Sequence, residues 1–280
     1  MDCETCINQF ELDYQFCLDP KSVELYLLSV KQLIEHSGKS IDTLNKKHIR
    51  LWLYYLSEKG YKPQTISSKL GGLKTFFTYC CEEGILSTNP AVGISIKMEE
   101  SKPFYLSLTD LTKLRQLVNK RILAERAIIE VLYATGMRIS ELSNMRREDI
   151  YWNERTIQIQ KGKRKKGRIV LFTKECEVHL KAYLDTRMDD VPYVFVSPKY
   201  ADRPIQIYYV GKRFREIYSK QLGFRVTPHT LRHTFAAHLA QKGMPLEYIQ
   251  TLLGHESPQQ TRYYARLYNH ARKELYDEFM

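Results

Sequence analysis

One change of period limits what this chain can fold into. For most of its 280 residues apolar side chains recur at helical spacing, but "TIQIQ" (156–160) and "RIVLF" (168–172) alternate with a period of two. Such alternation marks half-buried strands, and the basic run "KGKRKKG" (161–167) between them reads as a hairpin turn. "YVFV" (193–196) offers a further strand. So little strand in so much helix predicts a fold that is mostly α with a small antiparallel β-sheet.

The helical part divides in two. Asp19-Pro20 opens a helix with Val23, Tyr26, Leu27, Val30, Leu33 and Ile34 at helical spacing, and Asn45 caps a second that stops at Gly60. A third, beginning near Lys62-Pro63, is expected to be interrupted at Gly71-Gly72, and another covers part of residues 3–17. Residues 1–97 thus read as a helical bundle with nothing of catalytic type in it. Residues 98–104 are charged and contain Pro103, which suits a linker to a second domain over 105–280. There Thr109 is expected to cap a helix through Val118, and Gly136 to end the apolar helix "AERAIIEVLYAT".

Charge narrows the partners. Lys and Arg number 43 against 32 Asp and Glu, a net charge of +11, which favours a polyanion such as nucleic acid. No apolar run approaches the ~20 residues of a membrane span, so a cytoplasmic protein without a membrane partner is expected. The six cysteines include Cys3-x-x-Cys6, but no second CxxC or HxxxH follows at finger spacing, and reduced thiols rather than a zinc site are expected.

The densest chemistry lies in "TPHTLRHTFAAHLA" (227–240). Thr227 is a good N-cap and Pro228 suits the first helical position, so His229, Arg232 and His233 share one face of the first turn. The free N–H groups and positive dipole of that turn also favour an anion. His229 and Arg232 are therefore candidates for phosphate, while His233 and His238 are expected to be packing residues. Three more segments stand out. "YATGMRISEL" places Arg138 in the turn after Gly136, with Glu141 close behind; the turn 161–167 carries Lys161, Lys163, Arg164, Lys165 and Lys166; and "LLGHESPQQTRYYARL" brings His255, Tyr263 and Tyr264. Periodicity does not say which tyrosine acts.

Together these segments resemble the tyrosine recombinase (phage integrase) family over nearly the whole chain. "ATGMRISEL" is similar to its first arginine box, "HTLRHTFAAHL" to its second, and "LLGH" carries its later histidine. The family's nucleophile follows that histidine by nine residues, which selects Tyr264 and leaves Tyr263 to pack or touch DNA. The resemblance implies a helical core-binding domain followed by an α+β catalytic domain. It also implies a lysine in the hairpin turn: counting back from Arg168 gives Lys163, with Lys161, which Gly162 follows, as the alternative. The remaining basic residues of that turn, Arg164, Lys165 and Lys166, would contact the DNA backbone.

The implied chemistry is site-specific strand exchange. Tyr264 attacks a phosphate and leaves a 3′-phosphotyrosyl link and a free 5′-hydroxyl, with His229 as base for a phenol of ordinary pKa near ~10. Arg138 and Arg232 meet the charge of the transition state, His255 adds a hydrogen bond, Lys163 protonates the departing oxygen, and Glu141 orients the arginines. Neither metal, ATP nor cofactor is called for. The expected partners are duplex DNA with an inverted-repeat site and three further copies of the chain, forming a tetramer that passes through a Holliday junction. A second recombinase or accessory protein is compatible with this. Residues 265–280, with Leu267, Ala271 and Leu275, could dock on a neighbouring subunit or pack on their own domain. The short chain resembles simple recombinases: Xer-like dimer resolution, transposon cointegrate resolution, or insertion of a mobile element or plasmid. A type IB topoisomerase would share the chemistry, and an inactive DNA-binding regulator would lack one of these residues.

Overall fold

A computed structural model describes residues 3–97, 104–119, 122–160, 167–254, 264, 265, 267–269 and 273. It divides into two compact units, 1–101 and 102–280. The first is built from α1 (Cys3–Tyr14), α2 (Pro20–Ser37), α3 (Lys46–Glu58) and α4 (Pro63–Glu82). Its helices start where capping chemistry dictates: the Asp19 carboxylate accepts from Lys21 N at 3.0 Å, and the Asn45 side chain accepts from Lys47 N and His48 N at 3.0 and 3.2 Å. Phe10, Leu33, Ile49, Trp52, Leu73, Phe76 and Phe77 fill the core. Gly71-Gly72 does not interrupt α4, contrary to the sequence expectation. A Cβ on Gly72 would lie 2.8 Å from Tyr26 Cδ1, so the glycine is what lets α4 cross closely over α2. Cys6 faces Cys80 at 3.7 Å between sulfurs, as a pair of buried thiols inside the bundle.

The second unit contains α5 (Leu108–Asn119), α6 (Leu123–Thr135), α7 (Ile139–Ser143), β1 (Ile150–Tyr151), β2 (Thr156–Ile159), β3 (Arg168–Leu171) and α8 (Lys174–Leu184). There follow α9 (Ile207–Arg213), a π-helical turn at Phe214–Ser219, α10 (Lys220–Leu222), α11 (Pro228–Gln241) and α12 (Leu246–Leu253). Ser107, not Thr109, caps α5: its hydroxyl accepts from Asp110 N at 3.0 Å and donates to the Asp110 carboxylate at 2.8 Å. Ala127, Ile129, Val131 and Leu132 of α6 are fully buried, which makes this helix the axis of the core.

The sheet is antiparallel in the order β1-β2-β3, with Ile157 opposite Val170 and Ile159 opposite Arg168. Its third strand is the two-residue β1, not 193–196. That segment instead forms isolated bridges, Arg146 to Tyr193 and Val196 to Pro204, while Phe195 stacks on Tyr183 in the core at 5.4 Å. No helix among the described residues is long and apolar enough to cross a membrane.

Candidate active site

Two left-handed glycines set the stage. Gly136 ends α6 at φ 61° and Gly254 ends α12 at φ 63°, a backbone region that only glycine enters without strain. A Cβ on Gly136 would also strike the Phe235 ring, and one on Gly254 would meet the Arg168 guanidinium at 2.9 Å. Both turns therefore come within reach of side chains from other elements.

Three arginines converge on the carboxyl end of α12. Arg168 Nε donates to Leu252 O at 2.8 Å, Arg232 Nη2 to Leu253 O at 2.7 Å, and Arg138 Nη2 to Gly254 O at 3.3 Å. Those three consecutive carbonyls form the negative pole of the helix, so the guanidiniums satisfy orphan acceptors and the dipole together. Arg232 also donates to Gly136 O at 2.6 Å, which ties the end of α6 to the end of α12.

Glu141 is the acidic partner of this cluster among the described residues. Its oxygens accept from Arg168 Nη1 and Nη2 at 2.8 and 2.7 Å, from Arg138 N at 2.6 Å, and from Arg138 Nη1 at 3.2 Å. Burial alone would raise its carboxyl, but the Arg168 fork and the Arg138 amide outweigh burial and hold it below the ordinary glutamate range. Among the described residues, three guanidiniums against one carboxylate leave a surplus of positive charge. Arg232 registers that surplus: burial first, and then the Arg138 guanidinium, push it down to about 10.

The aromatic end of the site lies beside Arg232. Tyr264 is only 2% exposed and packs with Phe235, Ala236, Ala237, Ala240, Ile249 and Leu253. Burial raises its phenol well above the ordinary tyrosine range, against a smaller lowering by Arg232. Its hydroxyl is hydrogen-bonded to Nδ1 of His233. His233 in turn meets His229 edge-on, with ring centroids 4.3 Å apart. Burial, then His229 and Arg232, bring His233 down to about 4, so its ring is neutral near pH 7. His229 lies at the exposed edge of the cluster, and partial desolvation followed by Arg232, Arg225 and Arg138 lowers it as well.

Residues 105–270, more than half of the chain, match the model of the phage integrase family. The chain belongs to the phage integrase family. Residues 15–85 match that family's N-terminal SAM-like domain. The tyrosine recombinase XerC of Thermodesulfovibrio yellowstonii is 34% identical over 239 residues, spanning 79% of this chain and 77% of that protein. XerA of Pyrococcus furiosus is 31% identical over 258 residues, 84% and 86% of the two. A crystal structure of XerA recombinase aligns with 98% of each chain at 26% identity and a TM-score of 0.56. This phage integrase family member is thus a Xer-like tyrosine recombinase, an enzyme of site-specific DNA recombination.

The structure brings Arg138, Glu141, Arg232, His229 and Tyr264 into one region. His255, Lys161, Lys163, Arg164, Lys165 and Lys166 lie outside the described residues, as do Tyr263, Ala271 and Leu275. Leu267 and Tyr268 pack against the cluster around Tyr264, within their own domain. One sequence expectation is corrected. His233 does more than pack: it is the ring that meets the phenol, because α11 places it one turn deeper than His229. His238 remains structural, between Tyr133 Oη and Leu106 O at 3.0 Å each. In the sequence Arg168 marks only the start of a strand and the point from which Lys163 is counted. Period two puts it on the same face as Val170, the buried face of β3, and an arginine on a buried face needs a partner.

Proposed function

We propose that this recombinase cleaves and rejoins duplex DNA through Tyr264, with the scissile phosphate held by Arg138 and Arg232. The observation that carries the proposal is the surplus of guanidinium charge gathered at the end of α12, beside a buried phenol already paired with a neutral imidazole. As the phenolic oxygen bonds to phosphorus, its proton passes to the His229–His233 pair. The P–O5′ bond breaks, and Lys163, or Lys161 in its place, protonates the departing oxygen. Planar, permanently charged forks meet the oxygens on which charge grows, which a lysine does less well. His255 donates one more hydrogen bond, and Arg164, Lys165 and Lys166 grip the DNA backbone. Because Tyr264 is covered in the DNA-free chain, attack requires the phenol to emerge toward the phosphate.

The phosphotyrosyl link conserves the energy of the phosphodiester, so a 5′-hydroxyl from a second duplex can reverse the step. Strand exchange between two inverted-repeat sites then calls for a tetramer and a Holliday junction. A Xer-like chain suits resolution of chromosome or plasmid dimers, or movement of a transposable element, in the cytoplasm.

Sequencing DNA trapped covalently on the protein in its host identifies the site. On a nicked duplex carrying that site, Tyr264→Phe is expected to bind and form no adduct, whereas Tyr263→Phe still forms one. An adduct with Tyr264→Phe would refute the assignment. Relaxation of supercoils with no recombinant product would favour a topoisomerase instead.

A further inference from the structure

We propose that Arg168 is a positioning residue of the strand-cleavage reaction, holding the Glu141 carboxylate so that Arg138 stays available to the phosphate. The inference rests on the assignment of Arg138 as a phosphate ligand. Its starting point is a competition. Glu141 is the one carboxylate described in contact with the cluster, and a carboxylate beside a phosphate-binding guanidinium is a rival for it.

The distances show how the rivalry is settled. Arg168 takes both Glu141 oxygens in a planar fork at 2.8 and 2.7 Å, while the Arg138 guanidinium reaches only one of them, at 3.2 Å. The stronger bond from Arg138 to Glu141 comes from its backbone amide at 2.6 Å, which fixes the start of α7 without using the guanidinium. The Arg168 side chain is 8% exposed and the Arg138 side chain 42% exposed, so one guanidinium is committed to the protein and the other faces outward. Paired bidentately in a desolvated setting, Glu141 is worth more to Arg168 than to Arg138.

Arg168 is also placed to couple elements that must act together. Its Nε bonds to Leu252 O, at the end of the helix that leads to His255. It is the first residue of β3, opposite Ile159 of β2, so it closes the strand pair between whose ends Lys161 and Lys163 lie in sequence. Arg168 lies five positions after Lys163, a reach of at most about 18 Å. One side chain therefore links β3, α7 and α12.

The test measures single-turnover adduct formation and duplex affinity on the nicked site, with wild type and Tyr264→Phe as controls. If wild type forms no adduct, the recombinase assignment itself fails; if it does, the variants decide the role of Arg168. Arg168→Met frees Glu141 to neutralise Arg138, and adduct formation is expected to slow by about 30-fold or more with affinity within about threefold. Adding Glu141→Gln removes the rival charge and is expected to recover at least about fivefold of the lost rate. A merely structural salt bridge would lose and regain melting temperature in step with the rate, so DNA-free melting is measured beside it and the rates are compared at equal folded fraction. Arg168→Lys, a milder change that keeps the charge but not the fork, is expected to cleave more than threefold slower than wild type but faster than Arg168→Met, and decides the matter if the latter does not fold. The proposal is overturned if Arg168→Met or Arg168→Lys cleaves within threefold of wild type, or if the double variant is no faster than Arg168→Met.

Discussion

Replacing Arg232 with lysine keeps the formal charge and isolates the value of the guanidinium. In the folded chain Arg232 is 5% exposed and bonds two carbonyls on separate elements, Gly136 O at 2.6 Å and Leu253 O at 2.7 Å. An ammonium at the end of a linear stem reaches one of these well and abandons the other. A buried carbonyl left without its donor costs about 1–3 kcal/mol, which lowers the melting temperature by several degrees for a unit of this size. The catalytic cost is separate. Losing one fork on the phosphoryl oxygens removes about 3–4 kcal/mol of transition-state stabilisation, or roughly 10²–10³ in rate. Single-turnover adduct formation at saturating DNA reads the second cost, and thermal melting without DNA reads the first. Cleavage within threefold of wild type would refute the claim that a planar fork, rather than charge alone, does the chemistry.

Acid stability should report the buried imidazoles. The folded His233, down at about 4, refuses a proton that the unfolded chain takes near ~6.5, so stability falls as pH drops from about 6.5 toward 4 and is unaffected above that window. His233→Gln removes this proton uptake, and melting from pH 7 to pH 5 should show a shallower loss than wild type; His229 and His238, lowered too, leave a residual slope. Identical slopes would contradict the burial of a neutral His233. Glu130→Ala should destabilise by about 3–5 kcal/mol in denaturant melts, because Glu130 is wholly buried between Arg115 at 2.6 Å and Arg126 at 2.9 Å. A cost below 1 kcal/mol would show that the two arginines find other partners.

The elements read best from sequence are those whose signals are local. Asp19, Asn45 and Gly136 each carry cap chemistry within a turn of the residues they serve, and the structure uses each of them at a helix end. Features that depend on what packs opposite were less legible. Gly71-Gly72 looks like a break until Tyr26 is known to lie against it. "YVFV" has strand composition, yet its backbone partners are single bridges in loops. The same division holds in the site. Arg138 and Arg232 announce themselves through the family's motifs, but His229 and His233 share a face at i and i+4, and only the position of Tyr264 separates them. The sequence signal for Arg168 is its phase with Val170, a charged residue on the side of the strand that faces inward.

The way α12 ends has a consequence for how such a site tolerates change in length. Leu252, Leu253 and Gly254 each serve a different guanidinium, so rotational phase, not mere proximity, assigns the carbonyls. Inserting or deleting one residue between Leu246 and Leu253 would swing that end by about 100° and shift it by about 1.5 Å, misaligning all three bonds at a stroke. Substitutions along the exposed side of this helix can drift freely, whereas its residue count is held fixed by chemistry that takes place beyond its last turn.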